Sequence, residues 1–270
     1  MDLPERPPVE GEHGRPSGPA PHRDPEVWIR DETVVGSRGR SAGRGPVKTK
    51  TSSSRPRAAL APDVSQEIAR HLKGRAATAV EGRLAEAASA FERDRLAEAV
   101  RLLRPLVLDH PGIAAIRELA GLALYRSGKW SEAARNLEAQ RSLTGLPDQI
   151  PVIADCYRAL KRYRLADRLW EELKAASPPP PILAEGRIVT AGSLADRGRL
   201  DAAVALLERA VVSKRRGRGG PPEWEVRTWY ALADHYERSG DAARARDLFS
   251  RVVSAEPGLA DAAERLSALS

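Results

Sequence analysis

Only one cysteine, Cys156, occurs in the 270 residues, so no disulfide can form within the chain. It sits among Val152, Ile153, Ala154 and Tyr157, where a buried structural thiol is expected. Aromatic residues are scarce, at 4%. That argues against a sheet protein, which would draw on aromatic and β-branched side chains. No window approaches the ~20 consecutive apolar residues of a membrane span. Met1–Glu12 lacks the apolar stretch of a secretory leader, so a soluble, cytoplasmic chain without a membrane partner is expected.

The chemistry of catalysis is missing too. The five histidines are His13, His22, His71, His110 and His235, and no two stand four residues apart as a helical zinc pair would. There is no Gly-x-Ser-x-Gly elbow, no phosphate-binding loop and no Gly-x-Gly-x-x-Gly. Neither enzyme activity nor a cofactor or metal is expected.

The last shortage is local. From Thr33 to Pro62 there is no acid, while Arg38, Arg40, Arg44, Lys48, Lys50, Arg55 and Arg57 are all positive. Before it, up to Glu32, acids outnumber bases by eight to four. Residues 1–60 are rich in proline, glycine and serine, with too little apolar surface to offset the entropy of ordering, and read as a disordered tail. At the junction of its two halves stand Trp28, Ile29 and Arg30, a short motif that either docks on a surface or forms only a transient cluster.

Beyond the tail, helical periodicity takes over. Asp63 and Gln66 have the spacing of a capping box. Val64, Ile68 and Leu72, then Val80, Leu84, Ala88 and Phe91, recur at helical spacing, with one helix or two left open by Gly74 and Gly82. The sequence then repeats. Arg95–Ala99, Lys129–Ala133, Arg162–Ala166, Arg199–Ala203 and Asp241–Ala245 each end on an alanine, at spacings of 34, 33, 37 and 42 residues. The two long intervals contain breakers, Ser177–Pro181 and Lys214–Pro222, and without them the period is near 34.

That pattern resembles the tetratricopeptide repeat (TPR), a helix-turn-helix unit of about 34 residues. The last copy carries Trp229, Leu232, Ala233, Tyr236, Gly240, Ala245, Phe249 and Pro257; the second carries Gly121, Tyr125, Gly128, Trp130, Ala133 and Leu137. Asp94 and Lys161 depart from the pattern where a turn glycine belongs. Asp155–Leu160 and Trp229–Asp234 are also similar to segments of cytosolic TPR proteins of actinobacteria. The resemblance implies an all-α, right-handed solenoid and a scaffold rather than a catalyst. Expected boundaries are a tail at 1–60, a capping helix at 61–79, copies at about 80–113, 114–146, 147–180, 184–217 and 226–259, and a final capping helix at 260–270.

TPR stacks generally bind a peptide or protein in the concave groove lined by the first helix of each hairpin. The same resemblance therefore points to Tyr125, Arg126, Asp155, Arg158, Tyr230, Asp234 and Arg238 as candidate groove residues, beside Leu84, Phe91, Glu118 and Ile188. Leu84 and Ala88 stand where the chaperone-tail-binding class has its clamp, so that activity is not implied. Phe91 and Tyr125 have a core position as the competing reading. A second candidate surface is basic: Arg38, Arg40, Arg44, Lys48 and Lys50 of the tail with Lys214, Arg215, Arg216 and Arg218 could neutralise nucleic-acid phosphates. Neither segment holds an aromatic for base stacking, and a solvated linker is the alternative.

Overall fold

The computed structural model describes residues 60–211 and 220–270. Among them are twelve helices and no strand. The first, α1 (Pro62–His71), is followed by five antiparallel hairpins: α2 (Gly74–Glu92) with α3 (Leu96–Asp109), α4 (Ala114–Arg126) with α5 (Trp130–Thr144), α6 (Ile150–Ala159) with α7 (Tyr163–Ala176), α8 (Pro180–Asp196) with α9 (Leu200–Val211), and α10 (Glu223–Arg238) with α11 (Ala242–Ala255). A short α12 (Ala262–Ala268) packs on α11 and closes the stack. The basic insert and the whole tail lie outside the described residues.

The start of the array differs from the sequence expectation. Asp63 and Gln66 form no capping box, because α1 begins at Pro62 and no side chain caps it. Proline suits the first helical position, where its missing N–H and fixed φ cost nothing. The stretch 63–93 is two helices, parted by the extended residues Leu72 and Lys73 and by Gly74 at φ 55°. Residues 74–79, expected in the cap, are instead the first turns of α2. At the other proline run, Ser177 ends α7 in a left-handed conformation and Pro180–Pro181 open α8. These prolines therefore start the fourth hairpin.

All five hairpin turns share one backbone solution. Asp94, Gly128, Lys161, Gly198 and Gly240 have φ of 57°, 71°, 58°, 74° and 84°. The residue after each donates its N–H back into the helix just ended, Arg95 to Ala90, Lys129 to Leu124, Arg162 to Tyr157, Arg199 to Leu194 and Asp241 to Tyr236. Such bonds satisfy carbonyls that a helix end would otherwise leave unpaired. Asp94 and Lys161 thus do the work of glycine at a steric cost that glycine avoids.

Within hairpins, small residues set the approach. A Cβ added to Gly121 would stand 2.5 Å from the Leu137 side chain, so α4 and α5 meet more closely than any larger residue allows. The alanines Ala87, Ala99, Ala133, Ala191, Ala203, Ala233 and Ala245 are fully buried. The core runs the length of the molecule in three overlapping clusters, centred on α1–α4, α4–α8 and α8–α12. Leu137, Ile153, Leu173, Leu207 and Phe249 are among its fully enclosed side chains. Each helix pair covers the next, so burial is shared between neighbours along the stack.

Candidate functional site

The first helices of successive hairpins, α2, α4, α6, α8 and α10, form one row, and its two ends are built differently. At the C-terminal ends of these helices the polar side chains bond from repeat to repeat. Tyr125 on α4 donates its hydroxyl to Asp155 on α6 at 2.5 Å. Arg158 donates to the same carboxylate at 2.7 Å and to Asp196 on α8 at 2.9 Å. Arg126 pairs with Asp94 at 2.8 Å and lies over the Phe91 ring at 4.7 Å. Farther along, Arg265 on α12 donates to Asp234 at 2.9 Å and to Glu237, while Tyr230 donates to Asp261 at 2.5 Å. Arg238 stands 3.5 Å from Asp234.

Burial decides what these groups can do. Asp155 and Asp234 are nearly enclosed, and Arg158 is largely so. Burial opposes the charge of Asp234, but His235, whose ring nitrogen stands 3.3 Å away, and the Arg265 guanidinium outweigh it and hold the carboxyl below its usual range. Burial, with Asp155 beside it, pushes the Tyr125 hydroxyl well up. Burial also pushes the Cys156 thiol up, which keeps it an unreactive core group. Of the seven groove residues expected from the sequence, Tyr125, Asp155, Arg158, Tyr230 and Asp234 thus spend their polar atoms on inter-repeat bonds. Arg126 and Arg238 keep exposed faces. Leu84 and Ile188 are core residues.

At the N-terminal ends of α6, α8 and α10 the row opens into a slot of about 360 Å³. Its walls are Pro151 and Val152 of α6, Pro181 and Ile182 of α8, and Trp224 of α10. Its rim carries Asp148, Glu185, Glu223 and Arg227. Arg227 donates to Glu185 at 2.6 Å, leaving Asp148 and Glu223 exposed and without an ion pair among the described residues. The slot therefore joins an indole and aliphatic surface to an excess of negative charge, a combination that accepts an extended segment bearing a cation.

Sequence reasoning missed this slot because it followed the signature positions, and those are the core of each copy. A signal was present: Trp224 lies outside the repeat signature, just after Pro221–Pro222 at a helix start, where a large ring has no core to fill. The tail motif Trp28, Ile29 and Arg30 lies outside the described residues. So do the basic candidates Arg38, Arg40, Arg44, Lys48, Lys50, Lys214, Arg215, Arg216 and Arg218.

Residues 226–269 match the family model of the tetratricopeptide repeat. No curated protein is significantly similar in sequence. Among solved structures, a thermophilic TPR protein of Thermus thermophilus superposes with a TM-score of 0.54 at 18% identity, covering 70% of this chain and 98% of that one. The Cut9–Hcn1 hetero-tetramer of the APC/C contains a chain that superposes with a TM-score of 0.56 at 14% identity, covering 77% of this chain but only 39% of that one. At such identities the likeness is one of fold. Among the described residues no helix is long and apolar enough to cross a membrane. The chain carries a tetratricopeptide repeat at residues 226–269, and its described residues have the all-α, right-handed fold of a tetratricopeptide solenoid.

Proposed function

We propose that this protein is a non-catalytic scaffold that binds a peptide or protein partner on the first-helix row, with the slot at α6, α8 and α10 as its anchor point. TPR folds generally mediate protein–protein interactions, and one structural neighbour comes from the Cut9–Hcn1 hetero-tetramer. The observation that carries the reading is the slot itself. It is an open, indole-lined concavity beside a row in which Tyr125, Asp155, Arg158, Tyr230 and Asp234 already have partners. The reading includes a cytoplasmic setting, where a lone thiol stays reduced. Affinity capture with the full chain should retain a partner after nuclease treatment, and Trp224→Ala should lose it while helicity is unchanged. Capture indifferent to Trp224→Ala would overturn the slot as anchor.

A second reading is favoured by the distribution of charge. The described residues hold 29 acids and 29 bases, so the whole net charge of +7 resides in residues 1–59 and 212–219. Binding of nucleic acid or a ribosomal surface through Arg38, Arg40, Arg44, Lys48 and Lys50 with Lys214, Arg215, Arg216 and Arg218 would follow from that placement. It predicts capture that falls steeply with salt, vanishes with nuclease and persists in Trp224→Ala.

A further inference from the structure

The slot is not isolated. A line of carboxylates leads to it from the beginning of the described chain. Glu67 of α1 accepts from the amides of Ala114 and Ala115 at the start of α4, one turn before Glu118, whose carboxyl is raised first by burial and then by Asp148, Glu67 and Asp63. Glu118 in turn accepts from Gln149 at 2.6 Å, next to Asp148 on the slot rim. From Asp148 the line continues across the slot to Glu185 and Glu223. Arg227 stands among them, paired with Glu185.

The N-terminal segment joins the solenoid at Leu60, three residues before Asp63. The part of it nearest that junction, residues 33–59, has seven cations and no acid. We propose that the slot between α6, α8 and α10 receives this stretch of the same chain, laid along the carboxylates that run from α1, with a lysine or arginine over Trp224. The inference rests on the slot being a docking site and names its resident occupant.

Three features favour the chain's own segment over a free partner. The charges are complementary in sign and begin at the point of attachment. The reach suffices: 27 residues can extend over roughly 90 Å, against about five helix-to-helix steps of ~10 Å from α1 to α10. Tethering also supplies an effective concentration on the order of millimolar, which a separate basic peptide must exceed to compete. A partner would then bind by displacing the segment.

The test uses the full chain with a nitroxide on Ser41→Cys, the native Cys156 being buried. The indole N–H resonance of Trp224, assigned with Trp224→Phe, should be broadened at low salt. The broadening should vanish at high salt, in Asp148→Lys/Glu223→Lys, and when the label sits on a chain whose Arg38, Arg40, Arg44, Lys48, Lys50, Arg55 and Arg57 are each replaced by Gln. The buried Trp229 indole should be unaffected. No broadening of Trp224, or broadening that survives the cation replacements, overturns the proposal. Broadening of an isotope-labelled chain that bears no nitroxide, on mixing with nitroxide-bearing chains, assigns the occupant to a second copy, and overturns it as well. An unbroadened Trp224 in a protein that still loses its partner on Trp224→Ala sinks this inference and leaves the scaffold reading standing.

Discussion

The two ends of the first-helix row are made from similar residues and do opposite things. At the C-terminal ends, Tyr125, Asp155, Arg158 and Asp234 are largely withdrawn from water and bonded to one another or to Asp196 and Arg265 of the following elements. At the N-terminal ends of α6, α8 and α10, Asp148 and Glu223 stay in water beside a half-buried indole. The first arrangement fixes how each repeat sits on its neighbour. The second leaves surface and charge unspent. In a solenoid, polar residues on the inner face divide between spacing the repeats and meeting a ligand, and burial tells the two apart.

Mutations can break or sharpen that contrast. Leu207→Ala, fully buried in the core under α9, should cost ~2–5 kcal/mol in chemical denaturation and sets the scale for the rest. At the closed end, Asp155→Ala strips Tyr125 and Arg158 of a shared buried partner. Removing one member of a buried pair costs ~3–5 kcal/mol, and the low end applies because Arg158 keeps Asp196. Lys161→Gly relieves a left-handed residue in the turn just past the C-terminal end of α6 and should stabilise by ~1 kcal/mol. At the open end, Trp224→Ala should cost at most ~1–2 kcal/mol, because the ring is only half-buried, while abolishing partner capture. A large melting shift for Trp224→Ala, or a small one for Asp155→Ala, would reverse the assignment of the two ends.

Acid titration separates the ends by sign. Asp234, its pKa lowered in the fold, adds stability above the unfolded value of ~3.9 and loses it as pH falls through the folded value. Glu118, its pKa raised, adds stability below the unfolded value of ~4.3 and loses it as pH rises through the folded one. Asp234→Asn should therefore flatten the acid limb of the stability curve. Glu118→Gln should remove a decline that begins at higher pH. Denaturation midpoints between pH 3 and 7 check both, and parallel curves for the two variants would contradict these signs.

The repeat architecture was legible in the sequence because it is written in small residues at fixed spacing. Ala99, Ala133, Ala166, Ala203 and Ala245 announce a close helix approach wherever they fall, and all five are buried. The turns at Asp94 and Lys161 looked like departures only because a side chain conceals the backbone conformation that glycine advertises. The site was less legible. Asp155, Arg158 and Asp234 have the residue types and helical positions of a ligand-contacting face, and only the neighbouring helix shows that Asp196 and Arg265 already occupy them. The slot depends on where three helices begin. That is set by the prolines at 151, 180–181 and 221–222, and no periodicity records it.

One bond near the beginning of the array has a kinetic meaning. Glu67 of α1 accepts from the N–H groups of Ala114 and Ala115, at 2.6 and 3.2 Å, and so caps α4 across the intervening hairpin. Terminal repeats of a solenoid ordinarily fray first, one unit at a time. Here the first hairpin is bridged by a latch that must open before it can peel away. The amides of Ala114 and Ala115 become sentinels in hydrogen exchange: they lose protection when α1 lifts off, and the same event exposes the second repeat. The end of this zipper opens two teeth together.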